Sequence, residues 1–479
     1  MTITAVAAVA AALLAAASPA SANVPLTRVS ADPFTNATSQ HATEVEPDTF
    51  AFGQTVVAAY QVGRFFDGGA TDVGFSRSLN GGATWGAPGF LPGMTFSSGA
   101  AVPYERVSDA SVAYDAKHAT WLISSIPLLP NTAVPTIFVN RSTDNGATFG
   151  PPVSIPPTSK KVDLDKNWTV CDNHAASPFY GNCYTEFDSF GEGDLEYMST
   201  SRDGGATWSV PVSPQGKPKG LGGQPVVRPD GTVVVPFESL KGTISAFRST
   251  DGGASWTKET IISKINFHPV AGDLRTSPLP SAEIDAAGRT YVAWEDCRFQ
   301  PRCTANDIVL SSSADGLDWR AVSRIPIDDV GSGADHFIPG LAVDPATTGR
   351  LALTYYSYRN AACTEATCQM DVGFTSSPDG GAHWGAPTTL AGPMSLTDIA
   401  DTSQGPMVGD YISTSFNGVG TAATVFAIGK PHTGTVFDEG MWAPSTPLPV
   451  TTAATRAATT EGAANGQGVG AAQAAVRGD

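Results

Sequence analysis

Positive charge is scarce in this sequence of 479 residues. Lys and Arg number 28 against 45 Asp and Glu, which gives a formal net charge of −17 at pH 7. Nucleic acid and anionic membrane surfaces would repel such an acidic chain. The composition therefore argues against both as partners.

Long apolar runs are also rare, with one exception at the start. Residues 1–22 read MTITAVAAVAAALLAAASPASA, an Ala-rich run that ends in Ala20, Ser21 and Ala22. The run is too short and too weakly apolar for a membrane span, but it fits a signal peptide cleaved after Ala22. Because no Lys or Arg precedes it, a disordered Ala-rich extension stays open as the alternative. We predict a secreted protein without a membrane span.

Cysteine is sparse and clustered. The six residues form three pairs that are close in sequence, namely Cys171/Cys183, Cys297/Cys303 and Cys363/Cys368. This clustering predicts three short-loop disulfides, which an exported chain retains. The spacings are irregular and no His is placed as a paired ligand, which disfavours zinc, and no EF-hand spacing supports calcium. The sequence predicts no metal and no cofactor.

Glycine, by contrast, is abundant, and much of it lies in one repeated phrase. The copies are SLNGGATW, STDNGATF, SRDGGATW, STDGGASW, SADGLDW and SPDGGAHW, and their third residues are Asn80, Asp144, Asp203, Asp251, Asp315 and Asp379. The steps between these residues are 64, 59, 48, 64 and 64. Ser and Asp accept hydrogen bonds from nearby backbone N–H groups, Gly tolerates positive φ, and the terminal aromatic can pack into a core. Each copy therefore predicts a rigid turn.

Strand-like runs surround every turn, and helical periodicity is essentially absent. TVVAAYQVG, GTVVVPFES and RLALTYYSY are typical examples. Small antiparallel sheets repeated about every 50 residues are typical of a β-propeller. We predict an all-β propeller of residues 23–444 with about seven blades, six being possible, in which a strand from NVPLTRVS closes the last blade. Residues 445–479 are predicted to be a disordered Ala/Thr/Gly-rich tail.

The repeated phrase resembles the Asp box of sialidases and other proteins with bacterial neuraminidase repeats. DKNWTVCDN, LPSAEIDAAGRTYVAWEDCRF and HFIPGLAVD are similar to phrases of secreted actinobacterial sialidase-like proteins. The resemblance implies a scaffold whose working site lies at the end opposite the repeated turns. The strand order places these polar residues there: Arg64, Asp67, Asp72, Arg106, Asp109, Asp165, Lys166, Glu238, Arg275, Glu295, Asp296, Arg298, Asp335, His336, Asp410 and Tyr411.

The same resemblance implies catalytic roles, because retaining sialidases use a Tyr nucleophile, an assisting Glu and an Asp acid/base. Tyr411 in GDYISTSF matches the nucleophile and Glu238 in VVVPFESLKG matches the Glu. Asp67 matches the acid/base, with Asp72 as an alternative. Structural roles stay open for all of them: Glu238 and Asp67 as ordinary turn carboxylates, and Tyr411 as a packed side chain.

The arginines depart from the family pattern, in which three Arg grip the substrate carboxylate. Arg64 matches a further Arg at the rim of the family site, and Arg298 (less well, Arg302) is the candidate for the third of the three. Val45 stands between Glu44 and Glu46 where the first is expected, and the remaining one falls near Ile244. These electrostatics suit neutral or cationic ligands, so we predict weak or absent cleavage of sialosides.

Two functions follow from these residues. The first is a glycoside hydrolase of exo-alpha-sialidase type with a degenerate arginine triad, acting on an extracellular glycan or glycoconjugate. The alternative is a non-catalytic propeller that binds a glycan or a protein at the same end. In both cases we predict a monomer.

Overall fold

A computed structural model describes residues 24–157, 163–434 and 436–452 of the chain. The signal peptide predicted for residues 1–22 lies outside the described residues. The prediction of an all-β protein is confirmed. Four 3-10 helices of three residues each, Phe190–Glu192, Ala271–Asp273, Pro301–Cys303 and Leu396–Asp398, are the helices of the described part.

The strands follow one another along the whole described chain. Their bounds are β1 Leu26–Arg28, β2 Gln40–Phe52, β3 Thr55–Arg64, β4 Ala70–Ser78, β5 Gly89–Phe90, β6 Arg106–Asp115, β7 Thr120–Leu128, β8 Phe138–Ser142, β9 Val153–Ser154, β10 Leu164–Cys171, β11 Cys183–Ser189, β12 Leu195–Ser201, β13 Gly220–Leu221, β14 Val226–Val227, β15 Val233–Ser239, β16 Thr243–Ser249, β17 Thr260–Lys264, β18 Ser281–Ile284, β19 Thr290–Asp296, β20 Asp307–Ser313, β21 Ser323–Arg324, β22 Asp335–Val343, β23 Leu351–Tyr358, β24 Gln369–Ser377, β25 Thr388–Ser395, β26 Ser413–Phe416, β27 Ala422–Gly429 and β28 Glu439–Pro444.

The described strands form antiparallel groups in chain order. Six groups are continuous in sequence: β2–β5, β6–β9, β10–β12, β13–β17, β18–β21 and β22–β25. Single bridges, Ala70 to Val107 and the parallel Thr43 to Glu439, join the first group to the second and to the last in one 12-stranded sheet. The last group joins β26, β27 and β28 to β1, with Leu26 opposite Pro444. The strand from NVPLTRVS therefore pairs with the end of the chain, as the sequence predicted.

The groups pack face to face, and this explains why their strands are apolar along nearly their whole length. All ten residues of β3 are buried, and the largest core cluster lies where β22–β24 meet β26–β28, around Phe337, Tyr356, Phe426 and Met441. A sheet that is covered on both faces needs apolar side chains on both. Leu448 and Val450 are also buried in this core, so residues 445–452 of the predicted tail belong to the packed domain. Residues 453–479 lie outside the described residues.

The repeated turns follow β4, β8, β12, β16, β20 and β24 and share one hydrogen-bond pattern. In the fourth copy, the Ser249 hydroxyl donates to Asp251 Oδ1 at 2.8 Å and accepts from the N–H of Gly253 at 3.0 Å. Asp251 Oδ1 also accepts from the N–H of Ser255 at 2.9 Å. We call the end of the sheets where these turns lie the repeat end.

The turns also connect neighbouring groups. In the third copy, the Gly204 carbonyl accepts from Arg141 Nε at 2.6 Å, which belongs to the preceding group. In the first copy, the Gly81 carbonyl accepts from Asn417 Nδ2 at 2.8 Å, and Asn417 follows β26 in the last group. The first group is therefore in contact with the last.

Three disulfides join Cys171 to Cys183, Cys297 to Cys303 and Cys363 to Cys368. All three predicted pairs are confirmed. Disulfides of this kind persist in oxidising compartments, in agreement with an extracellular protein. In the described residues, no helix is long and apolar enough to cross a membrane.

Candidate functional site

A charged cavity of about 260 Å³ opens at the end of the sheets opposite the repeat end. The strand register fixes this position, because Arg64 pairs with Ala70 at one end of β3 while Val56 pairs with Ser78, the start of a repeated turn, at the other. The ionisable side chains that line the cavity are Glu46, Arg64, Asp109, Asp163, Asp165, Lys166 and Arg275.

Three of these residues sit at bulges in the first strands of their groups. The pairing register shifts next to Glu46 in β2, Asp109 in β6 and Lys166 in β10. At these positions φ is 54°, 52° and 50°, a left-handed conformation that costs a residue with a side chain of order 1–3 kcal/mol. A bulge turns a side chain away from the direction that the regular pleat would give it. Here the three bulges direct one acid from each of two strands and one Lys from a third to the same cavity.

Lys166 is the centre of a buried ion network. Its Nζ lies 3.2 Å from Asp109 Oδ1 and 3.8 Å from Glu46 Oε1, and it donates a short hydrogen bond to Asp410. Arg275 Nε donates to Asp410 Oδ1 at 2.7 Å. Burial opposes the charge of Lys166, but Asp109 and Asp410 outweigh it and raise the pKa of its ammonium group. Lys166 and Arg275 are therefore both neutralised by partners of the chain itself.

Two of the three acids around Lys166, Glu46 and Asp410, differ in charge. Burial and the neighbouring charge of Asp109 raise the pKa of Glu46 to about 8. Burial also opposes ionisation of Asp410, but Arg275 and Lys166 hold the pKa of Asp410 well below its usual range. At neutral pH Glu46 is therefore mostly protonated, whereas Asp410 is ionised.

Arg64 lies against the same cavity without an acidic partner. The side chain is buried, and Nη1 donates to Gln61 Oε1 at 3.1 Å. Nε has no hydrogen-bond partner. No ion pair joins Arg64 to any carboxylate of residues 24–157, 163–434 and 436–452. Burial lowers the pKa of the guanidinium, but Arg does not lose its proton in proteins, so a buried positive charge faces the cavity.

Asp67 stands at the mouth of this cavity, next to Gly68 and Gly69 in its wall. Its side chain is 56% exposed and accepts a hydrogen bond from Arg106 Nη1. Arg106 Nη1 also donates to the Gly68 carbonyl at 3.1 Å, which fixes the loop. The alternative, Asp72, is buried in β4 outside the cavity, and burial raises its pKa to about 8.

Tyr411 borders the same ion network from the side of Trp168. It follows Asp410, and together with Trp168 and Lys166 the two line a narrow space that shares Lys166 with the charged cavity. The rings of Tyr411 and Trp168 meet edge to face at 5.1 Å. The hydroxyl is buried without a partner, and burial together with the charges of Asp109 and Glu46 raises its pKa well above the usual value.

Glu238 and Arg298 lie at the same end of the sheets but outside the cavity. Glu238 pairs with Ile244 near the end of β15, and burial raises the pKa of its carboxyl to about 7. Arg298 donates to Asp296 Oδ1 at 2.8 Å and to Ser263 Oγ at 2.9 Å, so its guanidinium is held by its own chain. Arg302, the weaker candidate, lies beyond the cavity in the Pro301–Cys303 helix.

The structure thus brings Arg64 to the cavity, places Asp67 and Tyr411 next to residues that line it, and leaves Glu238 and Arg298 apart. Sequence reasoning placed Asp109, Lys166, Arg275 and Asp410 at this end without joining them. It treated Glu46 only as a residue in the place of an Arg.

A second, larger cavity of about 330 Å³ lies toward the repeat end. Its walls include Phe50, Trp168, Ile412 and Phe416 and are mostly apolar, and Glu283 is one of its few ionisable groups. Burial raises the pKa of Glu283 to about 8. No Arg or Lys is among its described lining residues, so it lacks a cationic donor such as Arg64, and the charged cavity is the better candidate site for an anionic ligand.

Comparison with known proteins gives matches among solved structures only. No protein-family model and no curated protein matches this chain. A polysaccharide lyase, an ulvan lyase bound to -[GlcA(1-4)Rha3S]-, is 12% identical with a TM-score of 0.50 over 88% of this chain and 95% of that chain. A Hadza microbial sialidase is 17% identical with a TM-score of 0.47 over 66% of this chain and 64% of that chain. The NanB sialidase from Streptococcus pneumoniae is 12% identical with a TM-score of 0.44 over 89% of this chain and 71% of that chain.

These similarities concern the fold. At 12% identity the likeness to the lyase shows a related chain path and no shared activity. The TM-scores of the two sialidases, 0.47 and 0.44, are lower than the 0.50 of the lyase. This chain also spans only 64% of the length of the Hadza sialidase.

Proposed function

We propose that this protein is a secreted seven-bladed β-propeller that hydrolyses an acidic extracellular glycan in the charged cavity. The contact of the first repeated turn with Asn417 of the last group supports a closed ring of seven blades. The resemblance of the six turns to Asp boxes supports the assignment to sialidase-like propellers. The charged cavity supports the site.

The observation that carries the proposal is the unpaired charge of Arg64. Its side chain is only 2% exposed, and a buried charge without a counterion is strongly unfavourable. A carboxylate on the ligand would supply the missing partner and could bind the guanidinium through two hydrogen bonds. We therefore expect the ligand to carry a carboxylate, as sialic and uronic acids do.

This ligand is not the neutral or cationic one that the sequence favoured. That expectation rested on two missing family arginines and on Glu44 and Glu46 as free negative charges in the place of one of them. Instead, Glu44 accepts hydrogen bonds from Arg28 at 3.0 Å and Ser30 at 2.6 Å, and the pKa of about 8 keeps most of Glu46 neutral. The acids beside Val45 therefore repel an anionic ligand much less than their number suggests.

The proposed chemistry assigns one role to each residue near the cavity. Arg64 holds the carboxylate, and Asp67 donates a proton to the leaving oxygen from the mouth, where its exposed side chain can reach the substrate. Tyr411 is the proposed nucleophile, and it needs a base because its raised pKa keeps the hydroxyl protonated. The network around Lys166 offers the carboxylate of Asp109 for that role, whereas Glu46, mostly protonated at neutral pH, is unsuited to it. Glu238 lies outside the cavity and is not needed in this scheme.

A non-catalytic binding propeller is the second candidate. The buried position of the Tyr411 hydroxyl favours it, because a nucleophile has to reach the sugar. Arg64 would then hold the ligand in the same way, and no bond would break.

Binding and turnover measured on one panel separate these candidates. The panel contains sialyllactose, a glucuronate oligosaccharide and their neutral parent sugars, with calorimetry for binding and two readouts for cleavage: new reducing ends for a hydrolase and unsaturated uronate for a lyase. We expect an acidic member to bind. Arg64→Gln should weaken binding at least about tenfold, because a charge-assisted contact contributes about 1.5–3 kcal/mol.

The matched control is Arg359→Gln, because Arg359 is 62% exposed and already forms an ion pair with Asp371 of this chain. This variant should bind like the wild type. Asp67→Asn should lower kcat without weakening binding if the protein is a hydrolase. Binding without any cleavage would establish the second candidate, and an equal affinity for acidic and neutral sugars would refute both.

A further inference from the structure

Two carboxylates and one imidazole meet at the junction of the fifth and sixth groups of strands. They are Asp307 at the start of β20, Asp328 in the loop before β22, and His336 in β22. One ligand atom from each lies within 4.8 Å of the others, and His336 Nε2 is 4.0 Å from Asp328 Oδ2. Asp307 is 1% and His336 3% exposed. The cluster lies outside the charged cavity, and the function proposed above does not use it.

Arg324 holds both carboxylates of this cluster by one of their two oxygens. Its Nε donates to Asp307 Oδ1 at 2.7 Å, and its Nη2 donates a short hydrogen bond to Asp328 Oδ1. Gln300 Nε2 donates to the same oxygen of Asp307 at 2.9 Å. The guanidinium thereby fixes the orientation of both acids, as second-layer partners of metal ligands commonly do.

The remaining ligand atoms are only partly occupied. Asp307 Oδ2 is buried and has no hydrogen-bond partner. His336 Nδ1, the ring nitrogen other than the Nε2 that approaches Asp328, is also buried without a partner. Asp328 Oδ2 accepts only from the Ser332 hydroxyl, which can rotate. A buried carboxylate oxygen without a donor is costly, and two carboxylates against one guanidinium leave a net negative charge.

We propose that Asp307, Asp328 and His336 form a binding site for a divalent transition-metal ion, for which Zn²⁺ is the best match. Imidazole favours zinc over magnesium or calcium, and carboxylate oxygens are common zinc ligands. Ligand atoms of a tetrahedral zinc site are roughly 3.3 Å apart. The 4.8 Å spacing therefore has to contract by about 1.5 Å at most, which rotations of the three side chains can supply.

The site would reinforce a junction between two groups of strands where the His336 N–H already donates to the Asn306 carbonyl at 3.0 Å. Asp307 belongs to the fifth group, and Asp328 and His336 belong to the connection and first strand of the sixth. Three protein ligands leave one position of a tetrahedral ion open to water. The competing interpretation is a plain buried ion network in which Arg324 alone balances the two acids.

Zinc titration of the full-length untagged protein distinguishes these interpretations. After treatment with a chelator and dialysis, we expect the wild type to bind one Zn²⁺ per chain by calorimetry and metal analysis, and to unfold at a higher temperature with Zn²⁺ than without. Asp328→Asn should lower the affinity at least about tenfold, since it removes a ligand charge. Asp329→Asn, which changes the adjacent exposed acid by the same amount, should leave the affinity unchanged.

A measurement on the wild type alone covers the case in which Asp328→Asn does not fold. Co²⁺ added in place of zinc should give the visible absorption of a low-symmetry four-coordinate site, and Zn²⁺ should abolish it. The proposal is overturned if the wild type binds neither ion. It is also overturned if Asp328→Asn and Asp329→Asn, both folded by circular dichroism, bind zinc equally well.

Discussion

Replacing Lys166 by Met tests whether the ion network is held together by its central charge. Lys166 is 7% exposed, and its partners Asp109 and Asp410 are 5% and 7% exposed. Removing one partner from a buried ion pair costs about 3–5 kcal/mol, because the other charge is left in a medium of low polarity. Arg275 still neutralises Asp410 in the variant, so we expect a loss near the lower limit, about 3 kcal/mol.

Urea unfolding at pH 7, followed by tryptophan fluorescence, measures this loss as a lower midpoint with an unchanged slope. Lys241→Met is the control, because Lys241 is 65% exposed in its pair with Glu259. An exposed pair contributes at most about 1 kcal/mol. If both variants lose the same small amount of stability, the network does not depend on the charge of Lys166.

The pH dependence of the Lys166→Met loss gives a second check with a definite sign. Lys166 and Arg275 hold the pKa of Asp410 below its usual range. The stability that this pair adds is therefore present above the unfolded pKa of an Asp and is lost as the pH falls through the lower folded pKa. In the wild type this contribution is therefore constant between pH 7 and about pH 4, and the loss caused by Lys166→Met should shrink only below about pH 4, as the carboxylate of Asp410 takes up a proton. A loss that grows in acid would refute the electrostatic explanation.

Two further predictions concern single carboxyl groups, those of Glu238 and Asp144. Burial raises the pKa of Glu238 to about 7, so its folded pKa lies above the unfolded one, and the native state loses stability as the pH rises through this range. Glu238→Gln should therefore raise Tm at pH 8 and leave it unchanged near about pH 4. A Tm difference that stays constant across a calorimetric pH series would contradict the assignment. Hydrogen bonds from Thr148 and Ser142 hold the pKa of Asp144 below its usual range, so its contribution to stability is present above the unfolded pKa and lost as the pH falls. Asp144→Ala should therefore lower Tm at pH 7 but not in strong acid. A drop in Tm that persists in strong acid would mean that packing, not the charged turn, is lost.

The fold was predictable because its signals are local. The repeated turns, the apolar runs between them and the close cysteine pairs each lie within a short stretch, and they predicted an all-β chain with three disulfides. The pairing of Leu26 with Pro444 is an exception, because these residues lie far apart in sequence. It was predictable because one strand was missing from the last repeat.

The candidate site was predictable only in its location. Lys166 meets Asp109 across 57 residues and Asp410 across 244, and no spacing in the sequence encodes such contacts. The bulges at Glu46, Asp109 and Lys166 add a second obstacle, because a shift of one residue reverses the face on which a strand side chain lies. Regular alternation therefore could not show that these three residues point to one cavity.

Arg298 shows the opposite problem. It was predicted to bind substrate from its position near the end of a strand. A carboxylate two residues away, Asp296, accepts from its Nε at 2.8 Å. Sequence similarity to a family pattern predicts where a side chain starts and cannot predict which neighbour it binds first.

The pairing of β1 with β28 also sets an order of events in biosynthesis. The hydroxyls of Thr27 and Ser445 lie 2.9 Å apart, although 418 residues separate them in sequence. A ribosome therefore releases the partner of the first strand only when it has made nearly the whole folded part. Until then β1 has no neighbour on β28, and Thr43 of β2 lacks the bridge to Glu439, so the edges of the first group stay open to other chains. The join between the two ends is thus among the last contacts that the growing chain can form, followed by those of Leu448 and Thr451, whatever the order in which the other groups fold.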